Sequence, residues 1–158
     1  MAKPREVRGL RCDESARQAA GKVLWTRFED MLSYRSAALS SETIEGVHDM
    51  RVATRRLRAA LDLFRDVLPR RWYREVRVDV KRLARALGAV RDLEVTLERL
   101  RRDRAGRPAA QVLVLDTMVA ELEQQRVAAR ENLTETLKKL EQSGFQRRFL
   151  ATLAKETM

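Results

Sequence analysis

The sequence predicts an all-α protein, an antiparallel four-helix bundle of long amphipathic helices plus a short C-terminal helix. Apolar residues recur at spacings of three and four along most of the chain, which is typical of helices with one buried face. No segment alternates apolar and polar residues as a half-buried strand would. The 158 residues include only three prolines and six glycines, so long uninterrupted helices are favoured.

The first two helices are predicted from their apolar spacing and from the residues that break it. The first should run over about 14–39 and the second over about 43–68. Between them, Ser40 and Ser41 supply hydroxyl groups suited to capping the second helix. Pro69 should end that helix, because proline has no N–H to donate.

Three further helices follow. The third is predicted over about 70–103, with a bend or a close packing contact at Gly88. The fourth and fifth are predicted over about 110–142 and 145–155, separated by Gly144. We expect one bundle over 14–158, preceded by a flexible basic N-terminus over 1–13.

Cysteine content and hydropathy indicate the cellular compartment of the protein. Cys12 is the only cysteine, which excludes an intrachain disulfide and fits a reducing compartment. No apolar run is long enough to span a membrane, and the N-terminus lacks the apolar core of a secretory signal. A cytoplasmic location without membrane attachment is therefore expected.

The net charge of +10 is concentrated in one third of the chain. Residues 50–107 hold 18 Lys or Arg against 8 Asp or Glu, and the rest of the chain is balanced. Arginine accounts for 27 of the 33 basic residues. Its planar guanidinium binds phosphate oxygens in pairs, so this bias favours phosphate recognition. A GC-rich genome would produce the same bias for no chemical reason.

The only histidine lies in this window, in the segment VHDMRVATRRLRAALDLF (47–64). On a helical wheel, His48, Arg51, Arg55 and Arg58 fall within about 80° of one another, opposite the apolar stripe. We call these four residues the histidine–arginine ridge. Like charges at these spacings destabilise an isolated helix slightly. An anionic partner would offset that cost.

The third predicted helix repeats the pattern with a lysine–arginine column, defined as Arg74, Arg77, Lys81 and Arg85. If the ridge and the column face each other, they line a basic groove. The alternative is a solvated basic surface, partly neutralised by Asp49, Asp62 and Asp79.

The single histidine allows three interpretations: a metal ligand, a general base, or one more donor to an anion. His48 has no second histidine to share a metal, and Cys12 is distant in sequence, so no metal site or cofactor is expected. No serine or cysteine nucleophile is placed beside it by local spacing. Donation of a ring N–H to an anion requires no further residue.

The segment VHDMRVATRRLRAALDLF closely resembles the conserved motif of the CHAD family, the conserved histidine α-helical domain. LGAVRDLEVTLERL (87–100) is similar to the companion motif of that family, and SGFQRRFLATLA resembles the end of its first helical half. The resemblance covers about 14–155. It implies an all-helical fold and non-enzymatic binding of inorganic polyphosphate, at polyphosphate granules.

The resemblance also implies which residues contact phosphate. His48 and the arginines of the motif lead, and basic residues of the next helix follow. These contacts would be His48, Arg51, Arg55, Arg56, Arg58, Arg77, Lys81, Arg85 and Arg91. Arg91 and its neighbour Asp92 could equally serve packing between helices.

One departure from the family pattern affects the expected partners. CHAD domains contain two similar halves, and a second histidine–arginine motif is missing here, so the chain resembles a first half. Either a homodimer completes the basic groove, or the sequence is part of a longer chain that contains the second half. We favour the homodimer, because half of the domain would expose an apolar surface. Two other functions remain open. Nucleic acid could bind the same face, although aromatic residues do not interleave with it, and a phosphohydrolase would need metal-binding carboxylates or a phosphate loop.

Overall fold

The computed structural model describes residues 3–40 and 44–157, which form six helices and, within those ranges, no strand. The predicted all-α fold class is confirmed. The helices are α1 (Ala16–Ser33), α2 (Arg35–Leu39), α3 (Glu45–Leu63), α4 (Arg70–Asp103), α5 (Ala109–Gln142) and α6 (Phe145–Thr157).

The helices share one apolar core. α3 packs against α1 and α4, α4 runs along α5, and α6 closes the bundle mainly against α1. An aromatic cluster joins three of these helices. Phe28 of α1 stacks on Phe149 of α6 with ring centroids 4.1 Å apart, and Trp72 of α4 lies 5.2 Å from Phe149. Full burial of one such side chain contributes about 1.5–3 kcal/mol.

The region predicted as one helix over 14–39 is two helices that meet at Tyr34. The hydroxyl of Ser33 donates to the carbonyl oxygen of Asp30 (2.8 Å), a local bond of the kind that competes with helix continuation. Tyr34 then takes a φ of −92° and a ψ of 0° and serves as both the last cap of α1 and the first cap of α2.

α3 also differs from its prediction at both ends. It ends at Leu63 rather than near residue 68, because a helix cannot easily run into Pro69 and the chain turns over 64–68 beforehand. Its N-cap is Ile44, which makes no side-chain bond. The capping expected of Ser40 is therefore wrong, and Ser41, the other residue expected to cap, lies outside the described residues.

The N-terminal segment before α1 lies along that helix without forming regular structure. The guanidinium of Arg27 donates to the carbonyl oxygen of Arg5 (2.9 Å), and the Arg5 N–H donates to the Asp30 carboxylate (3.4 Å). Farther along, the Lys22 ammonium donates to the carbonyl oxygen of Gly9 (2.5 Å).

A close contact between helices occurs at Gly46, not at Gly88 as the sequence predicted. A Cβ at Gly46 would lie 2.1 Å from the carbonyl oxygen of Ala37, so the backbone of α2 packs directly on α3. A Cβ at Gly88 would meet nothing within 4 Å, and α4 runs through it.

We predict that Gly46→Ala destabilises the protein by about 1–3 kcal/mol or more, because the new methyl group has no room. Gly88→Ala is the matched control and should stabilise by about 0.5–1 kcal/mol, since it improves helix propensity without a clash. Urea unfolding followed by circular dichroism measures both. Equal stability of Gly46→Ala and wild type would contradict the packing described here.

Candidate functional site

The histidine–arginine ridge lies beside the core, on a side of α3 that the bundle does not cover completely. His48, Arg51 and Arg58 are half-buried, and Arg55 is exposed. The helical period carries the apolar residues to the opposite side. The buried residues there include Met50, Ala53, Leu57 and Leu61.

The lysine–arginine column lies on an exposed side of α4. Arg74, Arg77, Lys81 and Arg85 are all accessible to solvent. The other side of this part of the helix is buried in the shared core, through Trp72, Val76, Val80, Leu83 and Leu87. Each of the two helices therefore separates its cations from its apolar stripe.

Asp62 joins the two rows of cations. It is one turn beyond Arg58 on α3, and its Oδ1 accepts hydrogen bonds from the Arg77 Nε (3.0 Å) and the Tyr73 hydroxyl (2.7 Å) of α4. These hydrogen bonds lie where the end of α3 meets α4.

The same contact marks the register of the two rows. A short turn connects α3 to α4, so the helices run antiparallel, and both rise about 1.5 Å per residue. Counting away from the Asp62–Arg77 contact along ideal helices therefore puts Arg58 level with Lys81, and Arg55 within one residue of Arg85. We call the ridge and the column together the basic face.

Most cations of the basic face lack an acidic neighbour. Within the described parts of the chain, no carboxylate oxygen lies within 4.0 Å of the basic groups of Arg51, Arg55, Arg58, Lys81 or Arg85. Several arginines elsewhere are paired at short range, as Arg104 is with Asp116 (2.7 Å). Arg77 is the exception on the face, because Asp62 already holds it.

The hydrogen bonds at Asp62 shift the pKa values of Asp62 and Tyr73. The Tyr73 hydrogen bond, with the bond and charge of Arg77 and the charge of Arg58, lowers the pKa of the Asp62 carboxyl. The same hydrogen bond raises the pKa of the Tyr73 phenol. Asp62 is therefore a carboxylate at neutral pH, inside a row of cations.

Arg56 lies apart from the ridge. It is half-buried, and its position on the helical wheel is on the flank of α3 away from Arg58. Its Nη1 is buried and makes no hydrogen bond within the described residues. Its contact with phosphate stays a prediction. Such a contact would come from a different side of α3 than the contacts of the ridge.

Arg91 belongs to an ion cluster between helices. It is half-buried, and its Nη1 lies 3.8 Å from the Glu94 carboxylate, whose side chain is 1% exposed. Arg130 of α5 donates to the same carboxylate at 3.2 Å. Burial raises the pKa of Glu94, and the charges of Arg130 and Arg91 act in the opposite direction. Arg91 and Arg77 are thus the two predicted contacts that are paired with a carboxylate within the described residues.

Arg130 was not identified from the sequence, although it ties three elements together. Besides Glu94 of α4, its Nη2 donates to the carbonyl oxygens of Ser40 (2.5 Å) and Ala38 (3.4 Å) at the end of α2. An arginine is well suited to the unsatisfied carbonyl groups that end a helix. Glu94 lies one turn beyond Arg91, which is the one sequence signal that could have revealed the cluster.

We predict that Arg130→Met destabilises the protein by about 3 kcal/mol, because Glu94 stays buried, loses its hydrogen-bonded partner and keeps only the charges of Arg91 and Arg126 nearby. The double variant Arg130→Met/Glu94→Met should recover much of the loss. Without Arg130 the pKa of Glu94 rises further, so the folded state holds its proton more tightly than the unfolded state. The loss should therefore be small at acidic pH and grow as pH rises to neutral. Urea unfolding at several pH values checks this; a pH-independent loss would contradict it.

Two cavities lie away from the basic face. One of about 400 Å³ is lined by residues including Met31, Met50 and Phe145, and one of about 910 Å³ lies beside the N-terminal segment, next to Trp25 and Leu153. The predicted groove is neither of them. Across 3–40 and 44–157, no three His, Cys, Asp or Glu side chains are grouped to hold a metal ion. None of the described helices is both long and apolar enough to cross a bilayer.

The fold and this site define an all-α protein with an unneutralised face of histidine, arginine and lysine. The model of the CHAD domain family matches residues 22–158, nearly the whole chain. The chain therefore belongs to the CHAD family, which confirms the resemblance seen in the sequence. That family is associated with polyphosphate binding rather than with catalysis. Among the curated proteins and the solved structures, no match was found.

Proposed function

We propose that the chain binds inorganic polyphosphate through the basic face and catalyses no reaction on it. The observation that carries this proposal is the row of arginines without acidic partners, Arg51, Arg55 and Arg58, set alongside Lys81 and Arg85 of the next helix. Membership of the CHAD family supports the choice of polyphosphate among anions.

The geometry suits a linear polyanion. Arg51, Arg55 and Arg58 follow one another along α3 at about 6 Å and 4.5 Å, given the helical rise. Each guanidinium offers charge-assisted hydrogen bonds to phosphate oxygens, and Lys81 adds a point charge from α4. An extended chain of phosphates could contact several of these groups in turn, whereas a single phosphate could contact only a few.

The alternatives find less support in the described residues. Nucleic-acid binding commonly uses exposed aromatic rings for base stacking. Tyr73, at the edge of the face, is half-buried and bonded to Asp62, while the exposed Trp25 lies on α1. Hydrolysis of phosphate chains commonly uses clustered metal-binding carboxylates. Release of phosphate from polyphosphate in the presence of Mg²⁺ would contradict the non-enzymatic proposal.

We predict that replacing Arg51, Arg55 and Arg58 together with Ala reduces the affinity for long-chain polyphosphate at least a hundredfold, because three charge-assisted contacts are lost at once. Isothermal titration calorimetry measures the affinity. Circular dichroism should show unchanged helicity, since these side chains lie beside the core.

The matched control replaces Arg11, Arg102 and Arg104 with Ala. These arginines are exposed, away from the basic face and each paired with a carboxylate, so the control removes the same charge. It should weaken binding only slightly, through net charge. Equal losses in the two triple variants would show that net charge, not the basic face, determines binding.

The proposal extends to cellular location. A cytoplasmic protein that binds polyphosphate should collect where that polymer accumulates, so we propose that it acts at polyphosphate granules. A fluorescent fusion should overlap with stained granules, and the triple variant of the ridge should spread through the cytoplasm. Granule localisation retained by that variant would contradict the link.

The first part of α5, before Leu133, exposes a long surface to solvent. No described side chain of α5 before Leu133 is buried, although this part of the helix carries several large apolar residues. Within residues 95–127 of the hairpin formed by α4 and α5, five large apolar side chains are 44–70% exposed: Val95, Leu113, Val114, Met118 and Val127. We call this the hairpin surface.

We propose a second copy of the chain as the partner for the hairpin surface. Residues 109–132 span about 36 Å, and two adjacent helices are about 20 Å wide, an area comparable with the ~800 Å² that a stable interface buries per partner. The two helices carry opposite charge. Residues 109–125 contain three acidic and no basic residues, and the end of α4 is rich in arginine. Part of this charge is already paired within the hairpin, Arg104 with Asp116 and Arg101 with Glu123, so the exposed apolar side chains are the main support for the proposal.

We predict that the wild-type chain is a dimer by size-exclusion chromatography with light scattering. Leu113→Glu/Val127→Glu should make it monomeric, because the two charges would be buried in the interface. Leu63→Glu is the control: Leu63 is 74% exposed at the end of α3, and this variant should remain dimeric. A monomeric wild type at high concentration would contradict the proposal.

A further inference from the structure

Asp62 is the one carboxylate in line with the cations of the ridge on α3. It continues the ridge by one turn, at a spacing of four from Arg58. Its side chain is 45% exposed, so it reaches solvent as the neighbouring cations do. It is hydrogen-bonded to Arg77 and Tyr73 and lies near the charge of Arg58.

The bonds at Asp62 are those that a phosphate oxygen would accept. One carboxylate oxygen receives the Arg77 Nε–H at 3.0 Å and the Tyr73 hydroxyl at 2.7 Å. A phosphate oxygen is also an anionic acceptor and would suit the same two donors. In the free protein, Arg77 and Tyr73 are therefore occupied from within the chain.

The fold does not depend on this contact. A pair that is about half exposed on both sides contributes little to the stability of the fold. Leu57, Leu61, Val76 and Val80 already hold α3 and α4 in one buried core. A purely structural role is thus a weak reason for a carboxylate inside a row of cations.

We propose that Asp62 is an internal counter-anion that competes with bound polyphosphate for Arg77 and Tyr73, and so limits the affinity of the basic face. The inference rests on the proposed function. Polyphosphate that reaches this end of the face must displace Asp62 or stop short of it. Asp62 thereby determines how much of the lysine–arginine column the ligand can use.

The test is Asp62→Asn, which removes the charge and keeps an oxygen that can accept from Tyr73. It should bind long-chain polyphosphate roughly three- to fivefold more tightly than wild type. Asp66→Asn is the control, because it adds the same net charge at an 86% exposed residue that lies in the turn after α3 and contacts Arg65. Asp66→Asn should leave the affinity nearly unchanged. An equal gain in both variants would overturn the proposal.

A double-mutant cycle separates competition from simple charge. Arg77→Ala should cost little affinity in wild type, where Asp62 holds Arg77, and clearly more in the Asp62→Asn protein, where Arg77 is free to bind. Equal costs in the two backgrounds would contradict competition. Absence of any polyphosphate binding by wild type would instead contradict the proposed function, so the two failures are distinguishable.

Discussion

The burial of the apolar stripes of α3 and α4 in one core is the constraint on which the basic face depends. A helix presents its residues at 100° intervals, so fixing Leu57 and Leu61 in the core fixes Arg55 and Arg58 beside it. The same holds for Val76 and Val80 of α4. Antiparallel packing then sets the two rows of cations side by side, without any attraction between them.

That arrangement has an electrostatic cost. Neighbouring like charges on a helix disfavour it by a few tenths of a kcal/mol per pair, and two adjacent rows add to this. Salt screens part of the repulsion between exposed groups. Asp62 offsets another part at one end of the face, and a bound polyanion would offset the rest. The cost in the free protein is therefore consistent with a surface that is used in complex with an anion.

The sequence predicts the features that depend on helical period and misses those that depend on neighbouring helices. The ridge and the column follow from spacing alone, since Arg51 and Arg58 share a face however the bundle folds. The partner of Arg91 could not be found in this way, because Arg130 lies on another helix. The end of α3 at Leu63 and the break at Tyr34 depend on turns that apolar spacing does not describe.

Neighbouring helices also determine which of the predicted phosphate contacts are available to a ligand. Arg77 and Arg91 look like Arg55 in the sequence, but each forms an ion pair with a carboxylate in the fold, whereas Arg55 forms none within the described residues. The residues best placed to bind an anion are those that the fold leaves unpaired. Sequence motifs identify the arginines, and only the tertiary structure shows which of them are available.

The most direct test of this account is side-chain NMR of the arginine Nε–H groups during titration with long-chain polyphosphate. The account predicts that the signals of Arg51, Arg55 and Arg58 shift first and furthest, while those of Arg11 and Arg104 stay nearly unchanged. Small, uniform shifts of all arginine signals would indicate diffuse attraction by net charge. That result would contradict a defined polyphosphate site on the basic face.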